Sequence, residues 1–143
     1  MARVDFAFGA SNQLSQACQT ALRQYLAGQK MVVYCSDTAK LKAFDVQLWA
    51  VDEAAFVPHV MAGDDLAAQT PIILASENLE QVMADAPPEA WLMNLDEQCP
   101  PWVGKLTRVL EIVSDEESDK ASARARWRAY QAAGHDIRSH RLS

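Results

Sequence analysis

Two side chains could in principle form a nucleophile and its base: Cys35, at the end of an apolar run, and His59. A thiol displayed at the end of a buried strand attacks an electrophilic centre when an imidazole takes its proton. The bland reading is stronger. Free cysteine is among the most buried residue types, His59 stands in a segment without period, and spacing names no partner for either. The acidic pairs Asp64-Asp65 and Glu116-Glu117 suit solvated loop and helix N-terminal charge, the latter favoured by the helix dipole. His135 and His140 have no ligand spacing with a cysteine, and Cys18, Cys35 and Cys99 form no Cys-x-x-Cys pair. Neither a zinc site nor a disulfide framework is expected; all three read as reduced thiols, and no cofactor is expected.

The turn after the first strand tests for nucleotide chemistry. It reads Gly9-Ala10-Ser11-Asn12-Gln13, with neither G-x-G-x-x-G nor G-x-x-x-x-G-K-[ST], and the five glycines of the chain are scattered. A nucleotide- or small-molecule-binding protein therefore stands only as the alternative class. No turnover is expected.

The strongest feature lies at the other end of the chain. Lys120, Arg124, Trp127, Arg128 and Gln131 fall at i, i+4, i+7, i+8 and i+11, on one face of a helix. For an arbitrary helix this is a solvated basic surface with an aromatic turned inward. Charge segregation argues otherwise. Residues 1–119 carry 7 Lys/Arg against 18 Asp/Glu, a net of −11, whereas residues 120–143 carry 6 against 1, a net of +5. A basic patch on an acidic body selects a local anionic partner, an acidic peptide best of all, because the remainder repels a long polyanion such as duplex DNA.

A second oddity is the loop after Leu48, where Trp49, Phe56, Val57, Pro58, Val60 and Met61 crowd large apolar groups into a segment without period. Such a loop either plugs the core or docks a partner, and an X-Pro step holds it extended in both cases.

These residues need a scaffold. Val4, Phe6 and Phe8 alternate as a strand ending at Gly9; a helix follows, capped by Ser11 or Asn12, with Leu14, Ala17, Cys18, Ala21, Leu22 and Tyr25 on one face and Gly28 closing it. Met31–Cys35 reads as a central parallel strand. A helix from Asp37 turns Leu41, Phe44 and Leu48 inward, and residues 51–69 read as an extended loop. Pro71–Ala75 and Ala90–Leu95 are further strands, joined by a short helix around Leu79–Met83 and broken at Pro87-Pro88. Val109–Val113 reads as the last strand, and Ser114 with Glu117 as a capping box opening a long helix that ends at Gly134. The expectation is one α/β domain over 1–143: three layers, a mostly parallel sheet with helices on both faces, and no nucleotide-binding loop. Met1–Leu14 lacks the apolar core and cleavage site of a signal peptide, and a cytoplasmic location is expected.

At two places the sequence resembles a known family. Leu48-Trp49-Ala50, then Phe56-Val57-Pro58-His59 and Ala62-Gly63, resembles the middle of the chi subunit of bacterial DNA polymerase III, and Ala123-Arg124-Ala125-Arg126-Trp127-Arg128-Ala129-Tyr130, running to Ala133-Gly134, resembles its final helix. The match is specific over roughly residues 45–71 and 120–137. The resemblance implies a Rossmann-like domain without a nucleotide site, serving as a non-catalytic accessory subunit of the clamp-loader assembly. It implies that Lys120, Arg124, Trp127, Arg128 and Gly134 bind the acidic, Pro-Phe-ended C-terminal tail of single-stranded-DNA-binding protein. Trp49, Phe56, Val57 and Pro58 correspond to the loop that binds the psi subunit, which favours an exposed docking ridge; a repair helicase is a further candidate for that loop. Trp127 stands where the family motif has tyrosine, and Gln131 and His135 replace a basic and an aromatic residue.

Overall fold

The structure is a computed structural model that describes residues 2–52, 54, 56–101 and 107–142. Its first strand, β1 (Arg3–Ala10), leads into helix α1 (Gln13–Leu26), where Asn12 is the cap and its side chain accepts a hydrogen bond from the Ser15 amide at 2.9 Å. Gly28, at φ +83°, lets the chain leave the helix in a conformation that a Cβ would strain. β2 (Met31–Tyr34) is buried along its whole length, and Asp37 caps α2 (Thr38–Trp49), which buries Leu41, Phe44 and Leu48. There follow β3 (His59–Met61), a 3₁₀ turn (Ala67–Gln69), β4 (Ile72–Ala75), α3 (Leu79–Asp85), β5 (Trp91–Asn94), β6 (Arg108–Ser114), α4 (Glu117–Ala132) and β7 (Asp136–Arg141).

The strands form one sheet in the order β3-β4-β2-β5-β6-β1-β7, and every pairing is parallel. Residues of α1 and α2 fill one core with Val33, Leu74 and Ile112, and those of α3 and α4 fill a second with Val4, Phe6, Val32 and Val113. This is the expected Rossmann-like, three-layer α/β fold.

Three expectations change. The segment 51–69 is not loop throughout: His59–Met61 pairs with β4 as an edge strand too short to show a period. β6 is not last, because Asp136–Arg141 pairs with β1. Among the described residues that strand has one neighbour, and it is exposed at nearly every position, so it carries no hydrophobic signal. The capping box does not form. Glu116 is the cap residue of α4 and its side chain makes no capping bond; Ser114 ends β6, donating its amide to Asp119 Oδ2 at 2.7 Å and accepting from the Glu116 amide at 3.4 Å. Asp119 thus reaches back to the strand in place of Glu117.

Candidate functional site

The basic face of α4 lines a groove. A cavity of about 460 Å³ is bounded by Phe6, Phe8 and Gly9 from β1, by Val113 and Ser114 at the end of β6, by Lys120, Ala123, Arg124, Trp127 and Arg128 from α4, and by Ser139 and Arg141 from β7. The helix turns Ala123, Arg126 and Tyr130 inward, and Trp127 lies between that inner face and the basic one, packed on Phe6 at 5.0 Å between ring centroids. Four cations, Lys120, Arg124, Arg128 and Arg141, ring the aromatic floor against one carboxylate, Asp115. Lys120 reaches Glu117 at 3.6 Å on an exposed surface, a pair of small value, and Arg124, Arg128 and Arg141 form no ion pair among the described residues. Such an arrangement takes an apolar ring and a carboxylate together, because desolvated aromatics receive the ring while guanidinium forks match the anion.

Gly134 does not line this groove. It sits past the C-terminus of α4 at φ +83° and turns the chain back to the sheet, where the Asp136 amide bonds Ala2 O at 3.0 Å. Its part is to bring β7, with Ser139 and Arg141, alongside the helix. Gln131 and His135 also lie outside the groove lining; His135 Nδ1 accepts from the Ala2 amide at 3.0 Å.

The aromatic loop divides. Phe56 is 65% exposed and Trp49 49%, and their rings pack at 5.1 Å between centroids, while Val46 lies one helical turn before Trp49 and is also exposed. Val57 is 1% exposed and packs in the core with Leu48 and Leu74, and Pro58 is half-buried. The loop therefore divides between adjacent residues: Val57 plugs the core, and Phe56 stands out as an exposed ridge. For Val57 the expectation of a docking contact is corrected, since its side chain has no surface to offer. His59 braces the loop beneath: its ring packs on Trp49 at 4.2 Å, Nδ1 meets Val57 O at 2.7 Å, and Nε2 meets Asp45 Oδ1 at 2.9 Å.

The suspected thiol-imidazole pair is not assembled. His59 is committed to Val57 and Asp45, whereas Cys35 is fully buried against Leu95 O, and burial pushes its thiol up from the ordinary value. The crevice at the carboxyl ends of the strands, where dinucleotides bind in doubly wound sheets, is lined by Gln13, Lys40, Glu97, Glu116 and Asp119 among others. Three carboxylates face that space, and Lys40 Nζ donates to Leu95 O at 2.7 Å.

A family model described as DNA polymerase III chi subunit, HolC, matches residues 1–138. The chain belongs to the DNA polymerase III chi subunit family. A DNA polymerase III subunit chi from Pseudomonas aeruginosa is 31% identical over 146 aligned positions, covering 99% of this chain and 98% of the relative. Proteins of the same name from Haemophilus influenzae and Escherichia coli are each 27% identical, covering 85% and 84% of this chain and 81% and 79% of theirs.

One feature of this chi-family chain was missed in the sequence. Glu111, fully buried in β6, accepts from Arg126 Nε at 3.0 Å, Asn94 Nδ2 at 2.9 Å and Tyr130 Oη at 2.6 Å, and Arg126 Nη1 donates to Glu97 O at 2.9 Å. Burial pushes the Glu111 carboxyl up from its ordinary value, and Arg126, Asn94 and Tyr130 pull against it. The cluster fixes the rotation of α4 against β5 and β6, and with it the outward aim of Arg124, Trp127 and Arg128. Its signal was present: a lone carboxylate in the run Val109–Val113, and an arginine about 120° round the helix from Lys120. No helix among the described residues is long and apolar enough to cross a membrane.

Proposed function

We propose that the chain acts as a tether within DNA polymerase III, catalysing no reaction of its own. The groove between α4 and β7 takes the acidic C-terminal tail of single-stranded-DNA-binding protein, and the Trp49–Phe56 ridge joins the psi subunit of the clamp-loader assembly. The observation that carries the reading is the groove: four cations around an aromatic floor, on a chain whose first 119 residues carry a net of −11. The tail's terminal phenylalanine packs on Trp127, Phe6 and Phe8, its carboxylate and neighbouring aspartates pair with Arg124, Arg128 and Lys120, and the acidic body turns other polyanions away. Contact with DNA is then indirect.

The carboxylates Glu97, Glu116 and Asp119 in the strand-end crevice support the same reading, since a nucleotide's phosphates would meet like charge there. Retention of purified partners on the immobilised chain tests the proposal. Arg128→Ala should release single-stranded-DNA-binding protein and keep psi, and Phe56→Ala should do the reverse; loss of both partners from either variant, with its fold intact, contradicts two separate surfaces.

A further inference from the structure

The groove has an unfinished side. β7 pairs with β1 on one edge and, among the described residues, has no strand on the other. The Asp136 amide bonds Ala2 O and the Leu142 amide bonds Phe8 O, and the register between β1 and β7 is continuous through all six residues. In a parallel strand each residue presents its N–H and C=O to one side and its neighbour to the other. The even-numbered residues therefore face β1, while the N–H and C=O groups of Ile137, Ser139 and Arg141 point to the free edge. Ser139 and Arg141 are also the two β7 residues whose side chains line the groove.

The geometry points to β7 as a template: an extended acidic peptide whose end is seated in the groove continues along the free edge as an eighth strand. The inference rests on reading the groove as the site of an acidic, carboxylate-ended peptide. What it adds is the occupant of the edge and the way it is held, through main-chain hydrogen bonds to Ser139 and its outward-facing neighbours.

Charge selects that occupant. β7 reads Asp-Ile-Arg-Ser-His-Arg, with Arg138 half exposed beside Asp136 and Arg141 exposed on the groove side. Two arginines per strand repel a second copy of the same edge, one of the devices that keep edge strands from self-pairing. The same two cations stand on opposite faces of β7, because side chains alternate along a strand. Whichever way an added strand places its aspartates, one face meets Arg141 and the other meets Arg138. The opposite edge of the sheet, β3, is three residues long and offers no comparable length.

The test uses the unmodified protein and a nine-residue acidic peptide ending in Pro-Phe with a free carboxylate. Two derivatives carry backbone N-methyl groups on alternate upstream residues, one set on odd positions and one on even. An added strand turns only one set of amides toward β7. One derivative should bind about five- to tenfold more weakly and the other like the parent peptide. Equal affinity of all three, or equal weakening of both derivatives, overturns the edge pairing. The underlying reading fails separately: if a chain carrying Arg124→Ala and Arg128→Ala binds the parent peptide as the native chain does, the groove is not the site at all.

Discussion

The neighbouring residues Phe56 and Val57 should respond to truncation in opposite ways. Full burial of a phenylalanine side chain stabilises by about 1.5–3 kcal/mol. With 65% of its surface exposed, Phe56 retains about a third of that, and its ring contact with Trp49 adds roughly 0.5–1.5 kcal/mol. Phe56→Ala should therefore cost about 1–2.5 kcal/mol and lower the melting temperature by roughly 3–9 °C. Val57 is 1% exposed inside the core around Leu48 and Leu74. Removing its two methyl groups forfeits about 0.8 kcal/mol each and leaves a cavity, for a total of roughly 2–3 kcal/mol. At an interface the order reverses, since an exposed aromatic anchor truncated to alanine costs about 2–4 kcal/mol of binding, whereas Val57 touches nothing outside. Thermal melts and psi-capture titrations on the two variants supply all four numbers. A Phe56→Ala protein that melts lower than Val57→Ala, and loses tail binding with psi binding, would refute the division of the loop into plug and ridge.

Further outcomes follow from the buried clusters. Arg126→Met strands Glu111 without its cation and should cost about 3–5 kcal/mol by denaturant titration, while adding Glu111→Leu should recover much of the loss. At Asp5, burial works to raise the carboxyl, but bonds from His140 and Arg3 and the charge of Arg108 outweigh it and hold the group below its ordinary value. The unfolded chain then binds more protons in acid, so this stabilisation is fully present above about pH 4 and is lost as the pH falls through the lowered value. Asp5→Asn should accordingly be less stable at neutral pH, with a difference that shrinks below about pH 4. Burial pushes the Cys18 thiol up to about 12 and raises those of Cys35 and Cys99 as well. At pH 8 thiol labelling of the native protein should be slow, and half-buried Cys99 should react first.

Elements packed against the core were legible because burial leaves its pattern in the sequence, a period for a helix with one buried face and an apolar run for a strand covered on both. α1 and α2 show their inward residues at helical spacing, and β2 is an unbroken apolar run. β7 left no such trace. It is an exposed edge held by backbone bonds to β1 and by His140 Nε2 on Asp5 at 2.8 Å, and neither contact demands apolar residues. Missing it hid one side of the groove, for Ser139 and Arg141 could be placed opposite α4 only once the chain returned to the sheet. The α4 wall itself was readable because Lys120, Arg124, Trp127 and Arg128 share one helical face and lie together in the folded chain. The Val57 side chain was not. One residue after an exposed aromatic, only tertiary packing decides which of the two points inward.

Whether the groove beside α4 takes an acidic tail is decided by a calorimetric titration: a short acidic peptide ending in Pro-Phe against the native chain, Arg124→Ala, Arg128→Ala and the double variant, at low and high salt. Each guanidinium lost should cost about 1.5–3 kcal/mol, a factor of ten or more in Kd, and added salt should weaken binding to the native chain. Amidating the peptide's terminal carboxylate should weaken it as well. A folded double variant that binds the free-carboxylate peptide with native affinity would contradict the account.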